Sequence, residues 1–227
     1  MSNEIHSSAI IDDNVVLGEK NQILPNTIIH GPTKIGSNNI IGPNVVIGSP
    51  GQDTRNPRYD STDAEIEIGD NNIIREFTAV QKPCYGNITK VGSNVFLMQS
   101  VHIPHDAILG DDVVITPMCV LAGMTNILKG ANIGMGVTIH QYSVVGHYSL
   151  AAMGSAVTKN IKPFSIYVPN KKPRVNLYAL KKFGFEEYVD EINKYVLEDI
   201  NPTNEKILKI TTEFEQLHQE SKRGIHK

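Results

Sequence analysis

The chain has 227 residues, with 21 Lys and Arg residues against 24 Asp and Glu residues and a formal net charge of −3. This near balance excludes the strongly basic surface that nucleic-acid binding requires. The sequence has neither a run of about 18 apolar residues nor a basic, apolar leader, so we expect a cytoplasmic protein without a membrane span. The two cysteines, Cys84 and Cys119, do not form the pattern of a disulfide framework.

An aliphatic residue recurs at every sixth position of the chain. The first block contains Ile5, Ile11, Leu17, Ile23, Ile29, Ile35, Ile41 and Ile47. The rule resumes at Ile68, Ile74 and Val80, and again from Val91 to Val157. A period of six fits neither a helix nor a β-sandwich with turns every 8–12 residues. It is typical of parallel β-helices, in which three hexads, or about 18 residues, form one coil. The sequence therefore predicts a mainly β fold.

The other hexad positions predict tight turns between short strands. The second residue is often glycine, as at Gly18 and Gly36, and the fourth is often Asn, Asp or Gly, as at Asn38 and Asn44. These residues tolerate a positive φ or bond to their own backbone in turns. Strand and turn signals thus alternate throughout the repeat region.

Two stretches interrupt the repeats of the predicted β-helix, which we place at residues 1–168. Residues 48–67 are rich in Gly, Pro, Asp and Arg, and residues at about 84–88 displace the register by five. Loops on a rigid scaffold often carry binding groups. Either stretch is therefore a binding loop or a tolerated surface insertion.

After Pro169 the six-residue period stops and helical spacing begins. We predict helices over Val175–Phe183 and Glu186–Leu197, and a third from Asn201-Pro202 to about Arg223. In the third, apolar residues recur at three- and four-residue steps. Residues 169–227 are therefore predicted to form a C-terminal α-helical domain.

The regular coil also places polar residues relative to one another. His105, Gly123 and Gln141 are 18 residues apart and should align on one outward edge, with His102 and His140 nearby. A histidine beside a glycine with an unobstructed amide suits general-base catalysis next to an oxyanion site. The alternative is that these are ordinary surface histidines.

Asp106 permits two interpretations. It follows His105 and could orient it, as the third member of a catalytic triad does. It also occupies the fourth hexad position, where Asn and Asp recur for turn geometry, and we favour this structural interpretation.

Several longer motifs resemble one family. They are NVFLMQSVHIPHDAILGDD at 94–112, LAGM at 121–124, GVTIHQY at 136–142, GQD at 51–53 and VNLYALKKFGF at 175–185. Together they resemble the bacterial UDP-N-acetylglucosamine O-acyltransferases of lipid A synthesis, which are hexapeptide-repeat acyltransferases. The resemblance extends over essentially the whole chain. It implies a left-handed parallel β-helix, the handedness of known hexapeptide helices.

The resemblance also implies a reaction: transfer of an acyl group from an acyl-carrier-protein or CoA thioester to a nucleotide-linked sugar. His105 matches the general base that deprotonates the sugar 3-hydroxyl. Gly123 matches the residue whose amide stabilises the oxyanion formed at the thioester carbonyl. The family implies no tightly bound cofactor and no metal, and it implies a homotrimer with the active site in the groove between rods.

Further positions match substrate-binding residues of that family. His102, His140 and Gln141 match groups that line the sugar and acyl-chain cleft. Asp53, with Gln52 beside it, matches a loop carboxylate that holds the sugar nucleotide. Asn176 and Lys182 match positions that meet the nucleotide and the acyl donor.

The chain departs from the family at several of these surroundings. Met124 replaces a histidine, Gln81-Lys82-Pro83 replaces a His-Arg-Gly run, Tyr178 replaces a glutamate and Phe183 an arginine, and the segment 170–174 is shortened. Losing polar partners around a substrate usually changes specificity. We therefore expect the acyl-transfer chemistry to be kept and the acceptor to be open to change.

Three other functions stay open at this point. The first is N-acylation of a UDP- or dTDP-linked amino sugar for surface polysaccharide. The second is a hexapeptide-type zinc carbonic anhydrase, with His102, His105 and His140 as ligands on adjacent rods. The third is a rod without activity that serves as a scaffold; the presence of both His105 and Gly123 argues against it.

Overall fold

The computed structural model describes residues 2–56, 58, 60 and 63–226. Residues 57, 59, 61 and 62 of the first predicted insertion lie outside the described residues, as do the terminal residues 1 and 227 of the two predicted domains. A helix able to cross a membrane would have to be longer and more apolar than any helix in the described part of the chain.

The described repeat region is made of very short strands. The first strands are β1 (Glu4–Ile5), β2 (Ile10–Ile11), β3 (Val15–Leu17), β4 (Gln22–Ile23), β5 (Ile28–Ile29), β6 (Thr33–Ile35), β7 (Ile40–Ile41), β8 (Val46–Ser49), β9 (Glu65–Ile68), β10 (Ile73–Ile74), β11 (Ala79–Gln81) and β12 (Ile88–Val91). They are followed by β13 (Phe96–Leu97), β14 (His102–Ile103), β15 (Ile108–Leu109), β16 (Val114–Ile115), β17 (Val120–Leu121), β18 (Asn126–Ile127), β19 (Asn132–Ile133), β20 (Thr138–Ile139), β21 (Val144–Val145), β22 (Leu150–Ala151), β23 (Ala156–Val157), β24 (Ser165–Tyr167) and β25 (Arg174–Val175).

These strands form three sheets that make up the faces of a parallel β-helix. A ten-stranded sheet has the order β1-β4-β7-β10-β13-β16-β19-β22-β24-β25, an eight-stranded sheet β2-β5-β8-β11-β14-β17-β20-β23, and a seven-stranded sheet β21-β18-β15-β12-β9-β6-β3. Pairing is parallel except between β24 and β25. Because each repeat strand pairs with the third strand along the chain, the backbone climbs one coil for every three hexads.

The aliphatic residue of each hexad fills the interior of the rod. Ile23, Ile41, Ile74 and Leu97 stack in register in the ten-stranded sheet, and each is at most 1% exposed. Burying one such side chain contributes about 1.5–3 kcal/mol, and stacked coils add these terms between neighbours. Cys119 lies in the same core as a free, buried thiol.

Both insertions leave the rod at the same corner. Three backbone N–H groups each donate to the side-chain oxygen of an asparagine one coil earlier. The donors are Asn39, Asn72 and Val95, and they follow their acceptors by 18, 33 and 23 residues. The second and third of these coils are therefore longer than the regular one. The first insertion separates β8 from β9 and the second separates β11 from β12. We call this edge, where the eight-stranded sheet turns into the seven-stranded sheet, the loop corner.

The chain then forms a short helical region. It contains α1 (Leu177–Phe183), a 3₁₀ turn (Glu186–Tyr188), α2 (Val189–Glu198) and α3 (Glu205–Ser221). The predicted start of the third helix at Asn201-Pro202 is wrong, because Asn204 is the N-cap and its side chain accepts from the Lys206 N–H at 3.0 Å. The backbone N–H groups of Thr203 and Asn204 instead donate to the Glu191 carboxylate.

The helical region packs on the last coils of the rod. Phe214 of α3 is buried against Leu128 and Val144. The rings of Tyr148 and Phe164, from the rod, pack on Phe185, with centroid distances of 4.9 and 5.3 Å. These contacts attach the helical region to the end of the rod formed by its last coils.

Candidate active site

An open groove of about 500 Å³ lies at the loop corner. Its floor comes from β11, β14 and β17 of the eight-stranded sheet, and its rim from residues 52–55 of the first insertion. We call it the corner groove. The predicted site residues that line it are Gln52, Asp53, His102, His105, Gly123 and Gln141.

The repeat geometry places His105, Gly123 and Gln141 in successive coils of this corner. The Met124 N–H donates to the His105 carbonyl and the Tyr142 N–H donates to the Gly123 carbonyl, both at 3.1 Å. These coil-to-coil hydrogen bonds stack the three turns directly. The regular spacing of these three residues thus corresponds to one step along the rod.

His105 is held by the carboxylate of the next residue. Its Nδ1 lies 2.8 Å from Asp106 Oδ2, and the His105 side chain is 14% exposed. Burial would raise the Asp106 pKa, but the hydrogen bonds from His105 and from three backbone N–H groups outweigh it and lower that pKa. Because a carboxylate can only accept, Nδ1 carries the proton and Nε2 is left as an acceptor.

The second insertion builds the surroundings of Asp106. The N–H groups of Cys84, Tyr85 and Gly86 donate to the Asp106 carboxylate at 3.0, 3.0 and 2.6 Å. Asp106 also has φ of 60°, as expected for its turn position. The structure therefore gives Asp106 both functions that the sequence left as alternatives: it makes the turn and it contacts His105.

Gly123 lies against the imidazole of His105. A Cβ atom built at Gly123 would overlap the ring atoms Cε1 and Nε2 of His105. In the described chain, no backbone hydrogen bond uses the Gly123 N–H, whereas the N–H of Ala122 donates to the Ile139 carbonyl at 2.9 Å. Only glycine lets the ring sit this close to an unused amide, which is the arrangement that stabilises a nearby oxyanion.

His102 projects from β14 into the same groove. Its Nδ1 lies 3.0 Å from the Leu121 carbonyl, so Nδ1 is the protonated nitrogen and Nε2 the acceptor. Burial lowers the pKa of His102, which keeps the ring neutral at pH 7. The His102 Nε2 atom is buried without a hydrogen-bond partner among the described residues.

Asp53 joins the first insertion to the second. Its carboxylate pairs with Arg55 at 2.7 and 2.8 Å and accepts from the Tyr85 hydroxyl at 2.6 Å. The Arg55 and Tyr85 hydrogen bonds hold the Asp53 pKa well below its usual range. The Tyr85 ring in turn lies 5.7 Å from the His105 ring. No sequence motif singled out Arg55 or Tyr85, although Arg55 follows Asp53 by only two residues.

Arg223 is a further residue at the site that no sequence motif singled out. Its Nη2 lies 2.8 Å from His140 Nδ1 and its Nε donates to the Gln141 carbonyl at 3.0 Å. His140 and Gln141 therefore share a cationic neighbour from the end of the helical region. No local pattern predicts a contact between segments so far apart in the chain.

The structure does not bring Asn176 and Lys182 into the corner groove. Asn176 is 4% exposed and caps α1: its Oδ1 accepts from the Ala179 N–H at 3.2 Å and its Nδ2 donates to the Tyr148 carbonyl at 2.9 Å. Lys182 is exposed on α1, with its ammonium 5.0 Å from the Phe183 ring centre. Within this chain Asn176 is structural, and a substrate contact from either residue stays a prediction.

In the described residues, no group of three or more His, Cys, Asp or Glu side chains is arranged to hold a metal ion. The three histidines of the zinc interpretation each use Nδ1 in a hydrogen bond within the chain. Each of these bonds has a specific partner: Leu121, Asp106 or Arg223.

The short repeats of this rod are similar to a hexapeptide repeat found in bacterial transferases. The family model described as bacterial transferase hexapeptide, six repeats, matches residues 14–49 and 88–123. The predicted fold class, a left-handed parallel β-helix with C-terminal helices, is confirmed by this match and by solved structures of similar proteins.

Within that class, the chain is similar to UDP-N-acetylglucosamine acyltransferases. The solved structure of the Bacteroides fragilis enzyme is 27% identical in sequence and has a TM-score of 0.79. The match covers 99% of this chain and 98% of the Bacteroides fragilis chain. That of Moraxella catarrhalis is 26% identical with a TM-score of 0.75, covering 100% and 98%. The resemblance indicated by the sequence motifs is confirmed.

Curated relatives that are also named as UDP-N-acetylglucosamine O-acyltransferases match a shorter region of the chain. The acyl-[acyl-carrier-protein]–UDP-N-acetylglucosamine O-acyltransferase of Nautilia profundicola is 35% identical over 63% of this chain and 58% of its own length. The protein of that name from Alkalilimnicola ehrlichii is 31% identical over 59% and 54%. The chain thus spans a little over half the length of these curated relatives.

Proposed function

We propose that the protein transfers an acyl group from an acyl-carrier-protein thioester to the 3-hydroxyl of UDP-N-acetylglucosamine. The observation that carries this proposal is the pair His105 and Gly123: a histidine oriented by Asp106 at 2.8 Å, packed against a glycine with an unused N–H. The names of the similar proteins support this acceptor and donor over the alternatives.

The geometry suits a base-catalysed acyl transfer. His105 Nε2 accepts the proton of the sugar hydroxyl as its oxygen attacks the thioester carbonyl, and a C–O bond forms. The carbonyl oxygen becomes an oxyanion, which the Gly123 N–H stabilises. The intermediate then collapses, the C–S bond breaks, and the protonated His105 returns its proton to the leaving thiolate. A positioned base of this kind contributes about 10²–10⁴-fold in rate.

A second groove provides room for the acyl chain. It has a volume of about 290 Å³ and shares Val120 and Ala122 with the corner groove. It continues along the eight-stranded sheet past Thr138 and Ala156. Small and apolar side chains of this kind suit a hydrocarbon chain, so we infer that the acyl group runs along this face.

We also infer a cytoplasmic homotrimer. Four apolar side chains, Phe77, Met118, Met135 and Met153, lie on the edge between the ten-stranded and eight-stranded sheets and are 55–77% exposed. We call them the methionine edge. Met118, Met135 and Met153 lie in successive coils, whereas the coil of Gln99 and Ser100 separates Phe77 from them. Exposed apolar surface of this kind is typical of protein–protein interfaces, and a second rod packed beside it would also cover the second groove.

The test is acyl transfer by the purified protein. Wild type and His105→Ala are assayed with acyl-carrier-protein and CoA thioesters, on UDP-N-acetylglucosamine and on UDP- or dTDP-linked amino sugars. We expect activity on UDP-N-acetylglucosamine, with a loss of about 10²–10⁴-fold in His105→Ala. A neutral amine is already nucleophilic, so an amino acceptor would depend less on His105.

A matched control is available on the same corner. His30 Nδ1 lies 3.2 Å from Asp12 Oδ2, which makes a second His–Asp pair outside the corner groove. His30→Ala should keep full activity. Transfer to amino sugars alone would overturn the O-acyl proposal, and so would equal activity of His105→Ala and His30→Ala.

A further inference from the structure

Gln81 is a polar residue in the floor of the corner groove that no step of the proposed reaction uses. It ends β11, next to β14 in the eight-stranded sheet, where Ala79 pairs with His102 and Val80 with Ile103. Val80 and Ile103 point into the core. The pairing of β11 with β8 is irregular between Val80 and Gln81, and Gln81, like His102, lines the corner groove.

The Gln81 side chain is buried and incompletely hydrogen-bonded. It is 4% exposed, and its Oε1 has no partner among the described residues. A buried carbonyl oxygen without a partner is unusual in proteins, because it has lost its hydrogen bonds to water without gaining others. This arrangement is stable only if something else supplies a donor, and the side chain lines an open groove.

Two more acceptors face the same groove. His102 Nε2 is buried without a partner in the described chain, and His105 Nε2 is the proposed base. Their acceptor character follows from geometry, because Nδ1 of each ring is bound to an oxygen that can only accept, on Leu121 and Asp106 respectively. Three acceptors on one groove match a ligand that presents several hydrogen-bond donors.

We propose that Gln81 is a specificity-determining residue whose Oε1 accepts a hydrogen bond from the acceptor sugar. The donor is a hydroxyl group of the sugar other than the one that is acylated, and His102 Nε2 receives a second hydrogen bond. This inference rests on the proposed function for the identity of the nucleotide sugar. It assigns to Gln81 the choice between sugars that differ in a single donor group.

The experiment pairs one variant with sugars that lack one donor. Gln81→Met removes the acceptor and keeps the length of the side chain. Values of kcat/KM are measured for wild type and Gln81→Met with UDP-N-acetylglucosamine, its 4-deoxy and 6-deoxy analogues, and the 3-amino analogue. We expect Gln81→Met to lose about tenfold with UDP-N-acetylglucosamine. In wild type, kcat/KM for one of the two deoxy analogues should be lower than for UDP-N-acetylglucosamine by a similar factor. In Gln81→Met, that analogue and UDP-N-acetylglucosamine should have the same kcat/KM.

Two further variants separate this effect from a structural one. Gln81→Glu keeps an acceptor oxygen at the same position and should retain more activity than Gln81→Met, most of all with the amino analogue. Gln219→Met, on the exposed face of α3, should match wild type with every sugar. Unchanged kcat/KM in Gln81→Met, or the same loss with every analogue, would overturn the assignment.

Calorimetric binding of the nucleotide sugars without an acyl donor distinguishes this inference from the proposed function. If wild type binds the sugars but transfers no acyl group, the proposed function fails. The Gln81 inference is then decided by binding alone: weaker binding in Gln81→Met supports it, and equal binding of every analogue by wild type and Gln81→Met overturns it.

Discussion

The imidazole of His105 occupies the space that a side chain on Gly123 would need. Even the smallest addition, a Cβ atom, would overlap the ring on Nε2 and Cε1. The ring is also tied at Nδ1 to Asp106, so it cannot move away without breaking that hydrogen bond. At the scale of single residues, the candidate base and the candidate oxyanion site therefore depend on one another.

This dependence predicts the result of Gly123→Ala. The added methyl group should displace the His105 ring and lower kcat/KM by at least about 100-fold, because a misplaced base loses its alignment. The unfolding free energy should fall by only about 1–3 kcal/mol, since overpacking costs that much. Steady-state kinetics and urea unfolding measure the two effects.

Gly184→Ala is the matched control. Gly184 has φ of 73° and no atom within 4 Å of a built Cβ, so alanine there should cost about 1 kcal/mol of stability and no activity. If Gly123→Ala and Gly184→Ala showed the same kcat/KM, the packing of His105 on Gly123 would have no catalytic consequence.

At the scale of elements, the segment after α3 returns to the rod through an isolated β-bridge between Asn160 and Ile225. The Asn160 N–H donates to the Gly224 carbonyl at 2.8 Å and the His226 N–H donates to the Asn160 carbonyl at 2.9 Å. The His226 ring stacks on Tyr167 with centroids 4.0 Å apart, and its Nε2 accepts from the Lys159 N–H at 3.2 Å. This attachment also positions Arg223 beside His140.

The attachment should weaken in mild acid. Burial, helped by the nearby Lys159 charge, lowers the pKa of His226 from 6.5 to about 4. Because this pKa is lower in the folded state, the segment binds more protons when it is unfolded at pH 4–6.5. The stability of the folded attachment therefore falls as the pH decreases through that range. Amide hydrogen exchange at Asn160 and His226, corrected for the intrinsic rate, should show lower protection at pH 5 than at pH 7.5.

His226→Phe tests the cause of that pH dependence. Phenylalanine keeps a ring to stack on Tyr167 and cannot be protonated, so protection at Asn160 should no longer depend on pH in this range. An unchanged pH dependence in His226→Phe would assign the effect to another group.

At the scale of the whole molecule, one face of the rod is charged and one of its edges is apolar. The seven-stranded sheet presents charged residues outward, including Lys34, Glu67 and Lys90, whereas the methionine edge between the other two sheets is apolar. An assembly through the methionine edge would bury apolar surface without removing these charges from water. This asymmetry is the physical basis for proposing that copies of the chain associate through the methionine edge.

Charges on the methionine edge should dissociate the assembly. We expect wild type to sediment at three times the mass of the 25.0 kDa chain, and Met135→Asp with Met153→Asp to sediment as a single chain. Val16→Asp, on the seven-stranded sheet where Val16 is 59% exposed, is the control and should stay assembled. A wild type that sediments with the mass of one chain would contradict the trimer.

The sequence by itself determined the rod and the alignment of its coils. Aliphatic residues at every sixth position, and Asn, Asp or Gly at the turns, act within a few residues, so the regular coil of three hexads follows from local chemistry. That coil is why the stacking of His105, Gly123 and Gln141 could be derived before the structure. The helices were also predictable from spacing, except at their starts, where Asn204 and not Asn201-Pro202 supplies the cap.

Only the tertiary structure decided how the corner groove is completed. The carboxylate of Asp106 is bound by N–H groups 20–22 residues earlier, the Asp53 carboxylate by Tyr85 at a distance of 32 residues, and His140 by Arg223 at 83. These partners meet because two insertions leave the rod at one corner and the last segment folds back onto it. Such contacts depend on where long loops return in space, and no short-range sequence period encodes that.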